Sequence, residues 1–383
     1  MPVVSSWTIQ GPPSGLTPFT RVKRMPVSTG IVDLTGLGWT PLVMILKQDG
    51  SVWRWGEAER PTRVQGFPQM APIVAIAGNP DGMHGLAIDR SGNVWQTDSN
   101  LSIPVQVNRG FMARRSESGT AMPPGTVAAG ESFTAVVAAD GTVRVADRLN
   151  QSFSVLRGLR GHAVKMISAG RYHLLVLTTD GRVYGAGSNS HGCLGWRSDQ
   201  RYEDGEPVAF APERMNEAVE ILGPTRIHRI IAGPYHNFAQ SPDGWWGWGL
   251  HQVFSGSTMM LGGFGPTNAL PDGSTYQFLY NRCLWPTLLP HLDDMHDVWP
   301  TQNHTFAARA RGTFTIWNQY LGQSATLPVP GRVTKMFASY GPNVVLLDDG
   351  SVHFLGRPGD MDWEKTAFGH SIIVKDCTRY FVP

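Results

Sequence analysis

Hydrophobic positions in this chain fall into short runs, broken by glycine-containing turns, that recur in one order: an apolar segment ends in a small-residue turn, a second apolar run leads into Gly, usually Asp-Gly, and a third β-rich run follows. The clearest copy is MISAGRYHLLVLTTDGRVYGAGSNSHGCLG from Met166, with others from Ile230, Val127 and Met336 and weaker ones from Ile73, Ile31 and Val298. Runs this short, bounded by Gly, predict strands. The hairpin glycines are Gly50, Gly92, Gly141, Gly181, Gly244, Gly312 and Gly350, and Val, Trp or Phe stands two residues after each. Asp-Gly between two strand-like runs marks a tight hairpin, because Gly takes positive φ without steric cost. In five copies the small-residue turn lies eleven positions before the hairpin glycine. In the first two it lies fourteen before, as in Gly36 to Gly50, which predicts a longer first loop there.

Successive hairpin glycines stand from 38 residues apart (Gly312 to Gly350) to 68 (Gly244 to Gly312). A unit of about 40 residues suits a four-stranded propeller blade, and longer spacers mark insertions. The expected fold is therefore all-β: one closed seven-bladed β-propeller of four-stranded antiparallel blades over residues 1–383, with longer loops at about 188–226 and 251–285. A single blade cannot bury both sheet faces, and an open row leaves edges exposed, so closure is expected through residues 1–17 or the tail IIVKDCTRYFVP.

AGRYHLLVLTTDGRVYGAGSNSHGCLG, with its shorter copies and the faint tail WNQYLGQ from Trp317, resembles the regulator of chromosome condensation family of seven-bladed propellers. The resemblance implies the propeller fold and a protein partner. It also implies nucleotide exchange on a small GTPase as one activity, resting in that family on a wedge hairpin and face residues that no run here matches. A propeller hosts many functions, so fold alone does not choose among them.

Composition narrows the partners. Lys plus Arg number 32 against 30 Asp plus Glu, a formal charge of +2, so no global field attracts nucleic acid or an anionic membrane. Gly at 44 and Pro at 28 are turn chemistry. Cys193, Cys283 and Cys377 show no CxxC spacing, so neither a disulfide framework nor a zinc site is expected. The N-terminal run MPVVSSWTIQ has no basic start or apolar core of a signal peptide, and no stretch is apolar enough to span a bilayer. The expected location is the cytoplasm or a particle assembled there.

Candidate chemistry is sparse. His84, His173, His236 and His304 each stand eight positions before a hairpin glycine, but the same position is Leu42, Phe133 and Pro342 elsewhere. Histidines placed in separate blades are read as structural, and the family resemblance implies the same. Asp293, Asp294, His296 and Asp297 lack EF-hand spacing and are read as a solvated loop. Phosphate-cradling, zincin and nucleophile-elbow motifs are missing, so neither catalysis nor a cofactor is expected. Trp53, Trp55, Trp95, Trp246, Trp248 and Trp317 follow the hairpins and are read as packing between blades.

The insertions carry the expected binding residues: Trp196, Arg197 and Tyr202 in the first, and Phe264, Tyr276, Phe278 and Trp285 in the second, which is apolar for a surface loop. A segment from Asn108 with Arg109, Arg114 and Arg115 reads as a mobile basic loop. The leading functional expectation is a non-catalytic protein-interaction scaffold. The alternatives are a component of a phage virion or large bacterial assembly, and a guanine-nucleotide exchange factor.

Overall fold

The computed structural model describes residues 30–37, 42–55, 61–69, 71–78, 84–115, 125–147, 152–195, 202–203, 206–207, 215–250, 268–269, 275–276, 282–301, 304–309, 313–318, 324–328, 331–337 and 344–354. Among these the chain is all-β. Six four-stranded sheets and one three-stranded sheet follow one another, each with its strands paired in chain order, and two short two-stranded ribbons accompany them. The first sheet comprises Ile31–Leu37, Leu42–Lys47, Val52–Trp55 and Thr62–Arg63, and the second Ile73–Gly78, His84–Asp89, Val94–Asp98 and Val105–Gln106. The third is Val127–Ala129, Phe133–Val137, Val143–Asp147 and Ser154–Val155. The fourth is Val164–Ala169, His173–Thr178, Val183–Gly187 and Val219–Glu220, and the fifth Arg229–Ala232, His236–Ser241, Gly244–Leu250 and Arg282–Leu288. Met295–Pro300, His304–Arg309, Thr313–Asn318 and Ser324–Pro328 form the sixth; Val333–Phe337, Val344–Leu347 and Val352–Phe354 form the seventh. Both segments expected to close a ring, 1–17 and the C-terminal tail, lie outside the described residues.

Contacts divide the chain into two compact units, one built on Pro123–Ala307 and the other on the described parts of Trp7–Met122 and Ala325–Pro383. In the first unit the opening strands of the third to sixth sheets pack successively on one another. In the second, Ile31–Leu37 packs between Ile73–Gly78 and Val333–Phe337.

The second strand of each sheet explains the uninterrupted apolar runs. His173–Thr178 and Phe133–Val137 are buried at every position, because neighbouring sheets cover both faces. Leu175 and Leu177 pack with Ile230, Ala239 and Trp248 of the next sheet, whereas Leu174 and Val176 pack with Ala135 and Val137 of the preceding one. Each such side chain contributes about 1.5–3 kcal/mol through removal from water.

The hairpin glycines have the expected positive φ, 77–89° at Gly50, Gly92, Gly141, Gly181 and Gly350. The preceding Asp or Ser is not left-handed: the turn residue three before the glycine accepts its N–H, as in Gly181 to Thr178 at 3.1 Å, and donates to the residue after it, as in Thr178 to Arg182 at 3.0 Å. This is a type I turn closed by a glycine bulge. In Asp-Gly copies the Asp caps the turn, and Asp49 accepts from the Ser51 N–H at 2.9 Å and hydroxyl at 2.6 Å. Those hydrogen bonds hold the Asp49 carboxyl below the usual carboxylate range, and hydrogen bonds from Thr142 do the same for Asp140.

The fifth copy departs from the expectation. Ser241 pairs with Gly244 across a two-residue Pro242–Asp243 turn, so Gly244 opens the strand, with φ of 126°, and does not sit in the hairpin. Gly312 lies outside the described residues.

Two other sequence readings change. Asp297 is not part of a solvated loop: it lies in a strand, 4% exposed, paired with Arg229 at 2.8 Å. Burial raises its pKa, and Arg229 opposes that shift. The segment after Asn108 is fastened as far as residue 115. Asn108 is buried and donates to the Gly92 and Phe111 carbonyls at 3.1 and 2.8 Å, while the Ala113 N–H reaches the Gly92 carbonyl at 2.9 Å. Among the described residues no helix is long and apolar enough to cross a membrane.

Candidate functional site at the turn end of the third to fifth sheets

A four-stranded meander places its first-to-second and third-to-fourth connections at one end and its second-to-third hairpin at the other. In the first unit the small-residue turns, Gly130–Ser132, Gly170–Tyr172 and Gly233–Tyr235, share the first end. Glycine is required there by packing. A Cβ on Gly170 would stand 2.1 Å from the His173 ring and 2.4 Å from the Gly233 carbonyl. The same turn bond, 2.8–2.9 Å, joins Gly130 to Phe133, Gly170 to His173 and Gly233 to His236. The turns then link to one another: the Glu131 N–H donates to the Arg171 carbonyl at 2.9 Å, and the Arg171 N–H to the Pro234 carbonyl at 3.4 Å.

Side chains reinforce this ladder. Arg171 Nε meets Glu131 Oε2 at 2.7 Å, and its guanidinium also donates to the Tyr235 hydroxyl. The same guanidinium lies 5.0 Å from the Tyr172 ring and 5.6 Å from the Tyr235 ring, and His191 packs on Tyr235 with centroids 4.5 Å apart. Burial first, then a hydrogen bond with Glu131, pushes the Tyr172 phenol up to about 12, so it stays protonated at neutral pH. Together these contacts produce a fixed cation–aromatic cluster.

Below the turns, the histidine register bridges sheets. His173 Nε2 lies 2.6 Å from Asn237 Oδ1, and His236 Nε2 lies 3.0 Å from Thr305 Oγ1; each partner immediately follows the register position of the next sheet. Burial holds the His173 pKa down to about 4, the Asn237 bond opposing it, so the ring is neutral. His84 is buried as well, and the His304 side chain lies outside what is described. Among the described residues no group of three or more His, Cys, Asp or Glu could hold a metal ion.

The insertions are shorter than their sequence bounds. Residues 188–195 fold into a compact loop, with Asn189 bonded to the Gly195 carbonyl at 2.9 Å and the Leu194 N–H at 2.7 Å. Arg282–Leu288 is the fourth strand of its sheet, with Leu250 paired to Arg282, so Trp285 belongs to a strand and not to a loop. Hydrogen bonding to Gly247 and Gly249 recruits that segment despite Pro286. Each insertion contains a ribbon: Tyr202 pairs with Pro207 in the first, and Asn268 with Tyr276 in the second. The side chains of Tyr202, Tyr276 and Trp285, and residues Trp196, Arg197, Phe264 and Phe278 entirely, lie outside what is described. Both insertions run from third to fourth strand, at the same end as the Arg171 cluster.

A cleft of about 430 Å³ opens at this end between the third and fourth sheets. Phe133, Val145, Ala146 and Met215 supply its apolar lining; Ser132, Asp147, Ser152, Ser154, Tyr172 and Asn216 supply the polar one. Sequence reading missed both the cleft and the cluster. A signal was available in the two columns after each turn glycine, which read Glu131, Arg171, Pro234 and Ser132, Tyr172, Tyr235.

Residues 164–193 match the family described as Regulator of chromosome condensation (RCC1) repeat. The chain is 28% identical to the Regulator of chromosome condensation of Xenopus laevis over 218 residues, 49% of each protein. It is 24% identical to Protein pim1 of Schizosaccharomyces pombe over 227 residues, 54% of this chain and 34% of pim1. The matched region thus spans about half or less of these curated relatives. Among solved structures, Prp20p from Saccharomyces cerevisiae aligns with a TM-score of 0.59 and 17% identity, covering 81% of this chain and 80% of its own. Human WBSCR16 aligns at 0.58 and 13%, covering 87% and 89%. The Prp20p structure is described with its binding properties to Gsp1p and histones, and yeast RCC1 (Prp20) also with Kap60 bound to it.

Proposed function

Taking as premise a chain that is RCC1-like in its repeat and in its propeller fold, we propose that it is a non-catalytic protein-interaction propeller of seven blades closed into a ring. Its working face is the end that carries the first turns. Support for seven blades comes from the seven sheets with one internal register. The observation that carries the functional reading is that both long insertions emerge at the end where Glu131, Arg171, Tyr172 and Tyr235 lock the turns together. Rigid strands hold adaptable connections, the arrangement by which scaffolds present binding surfaces. The opposite end carries the compact hairpins, together with the connections between sheets such as that from Gln106 to Val127.

The relatives direct the first choice of partner, since Prp20p binds Gsp1p and histones. A second reading, guanine-nucleotide exchange, has one observation in its favour: the Tyr202–Pro207 ribbon, an element of the hairpin kind that the resemblance calls for. Release of a fluorescent guanine nucleotide from a Gsp1p-type GTPase separates the two. The scaffold reading expects protein capture with no acceleration of release, whereas dose-dependent acceleration replaces it with exchange. Neither the fold nor the relatives add support to a virion or large-assembly role.

A further inference from the structure

In four sheets the fourth strand is fastened by one repeated bond, from the N–H of a buried aliphatic residue to the carbonyl of the residue two beyond the hairpin glycine. Val64 donates to Val52 at 2.9 Å, Val107 to Val94 at 2.9 Å, Leu156 to Val143 at 2.8 Å and Ile221 to Val183 at 2.8 Å. In the first sheet the two residues before Val64, Thr62 and Arg63, pair with Arg54 and Trp53. The chain then runs nine residues from Val64 to Ile73, which opens the second sheet. The fourth strand of one sheet is thus the approach to the first strand of the next.

Among the described residues the seventh sheet has three strands, and the residue two beyond its hairpin glycine is Val352. The first sheet stacks on it. Ile31, Leu34 and Trp55 share a buried cluster with Val344, Leu346 and Val352, and Lys335 of the seventh sheet's opening strand pairs with Asp33 of the first sheet's. A pair of the same kind joins the opening strands of the fifth and sixth sheets, Arg229 to Asp297 at 2.8 Å. The first sheet therefore follows the seventh as the second follows the first. The approach to Ile31 repeats the approach to Ile73: TRVKRMPVSTGI from Thr20 matches TRVQGFPQMAPI from Thr62 at Thr, Arg, Val, Pro and Ile, with Ile eleven positions after Thr in both.

We propose that Thr20-Arg21-Val22 docks on the outer edge of Val352–Phe354 as the fourth strand of the seventh sheet. Arg21 stands opposite His353, Thr20 opposite Phe354, and the Val22 N–H donates to the Val352 carbonyl. The pairing rests on the ring of the proposed function and names the segment that closes it, which is neither 1–17 nor the tail. The tail also contains Thr378-Arg379, but Tyr380 follows them, where the four fastened strands have Val, Leu or Ile. A paired strand removes the exposed main-chain groups that an open sheet edge presents.

Arg63 and Trp53 are a non-hydrogen-bonded pair, one residue from the Val64–Val52 bond, and Arg21 and His353 take the same place. Side chains of such a pair stand close enough for a disulfide. The full chain carrying Arg21→Cys, His353→Cys and Cys377→Ser is oxidised with glutathione, and the disulfides are mapped by mass spectrometry. An intrachain bridge between the introduced thiols is expected, forming at least about tenfold faster than when Thr20→Cys, on the opposite face, replaces Arg21→Cys. A rate no faster than that control overturns the proposal. An interchain bridge does so too, since it places the segment on a second copy. Leu355→Cys with the native Cys377 tests the tail in the register that sets Arg379 opposite His353. A bridge there overturns the assignment and leaves the ring standing, whereas failure of both pairings in a folded chain overturns both. Should the variants fail to fold, amide exchange of the unaltered chain decides. Protection of Thr20 and Val22 equal to that of Thr62 and Val64 supports the pairing, and exchange at the rate of an unstructured chain overturns it.

Discussion

Individual glycines in this chain do different work at equivalent positions, and that difference is measurable. Gly141 has φ of 82° and open space around a would-be Cβ, whereas Gly50 at 78° would place one 2.3 Å from the Pro72 Cβ. The Gly50 carbonyl also accepts the Ile73 N–H at 3.2 Å, tying the first sheet to the second. Gly141→Ala is expected to cost about 1 kcal/mol, the left-handed backbone alone, and Gly50→Ala at least about 3 kcal/mol once overpacking is added. Equilibrium urea unfolding of the two variants checks the order. At the same scale, His173 is held neutral with its pKa depressed to about 4, so the unfolded chain binds a proton that the folded chain refuses. Its contribution is complete above the unfolded value near 6.5 and is lost as pH falls towards 4, a swing of roughly 3 kcal/mol. Unfolding midpoints at pH 7 and pH 5 should therefore differ, and His173→Gln should reduce the difference. The hydrogen-bonded Asp49 and Asp140 act below that window, since a carboxyl with lowered pKa loses its contribution only as pH falls past the usual carboxylate range.

At the scale of elements, what was legible in the sequence was local. The Asp-Gly hairpins announce themselves within five residues, and the fully buried second strands announce themselves as unbroken apolar runs such as His173–Thr178. Insertion bounds were not legible. Arg282–Leu288 holds its place through main-chain bonds to a distant strand, and residues 188–195 hold theirs through Asn237 and Trp248 of the next sheet. The Arg171 cluster escaped for a related reason: Glu131, Arg171 and Tyr235 are separated by whole repeats and meet only when sheets stack. Because Leu250 pairs directly with Arg282, residues 251–281 can be exchanged for a short Asn-Gly turn without removing a ladder bond of the fifth sheet. That replacement should leave the thermal midpoint within a few degrees of wild type while reducing capture of the native partner. A large drop in midpoint would show instead that the insertion is part of the core.

At the scale of the molecule, the distinction that matters is between the two ends of the sheets in the first unit. One end carries the hairpins at 139–142 and 179–182; the other carries the linked turns, both insertions and the cleft. Net charge of +2 gives the chain as a whole no strong long-range field, which leaves recognition to shape and local chemistry. Hydrogen exchange of the full chain, alone and bound to the partner recovered from its host, compares the two ends directly. The account predicts new protection at residues 130–132, 170–172, 188–216 and 233–235 and in 251–281, with the hairpins at 48–51, 139–142 and 179–182 unchanged. Protection confined to those hairpins would contradict it.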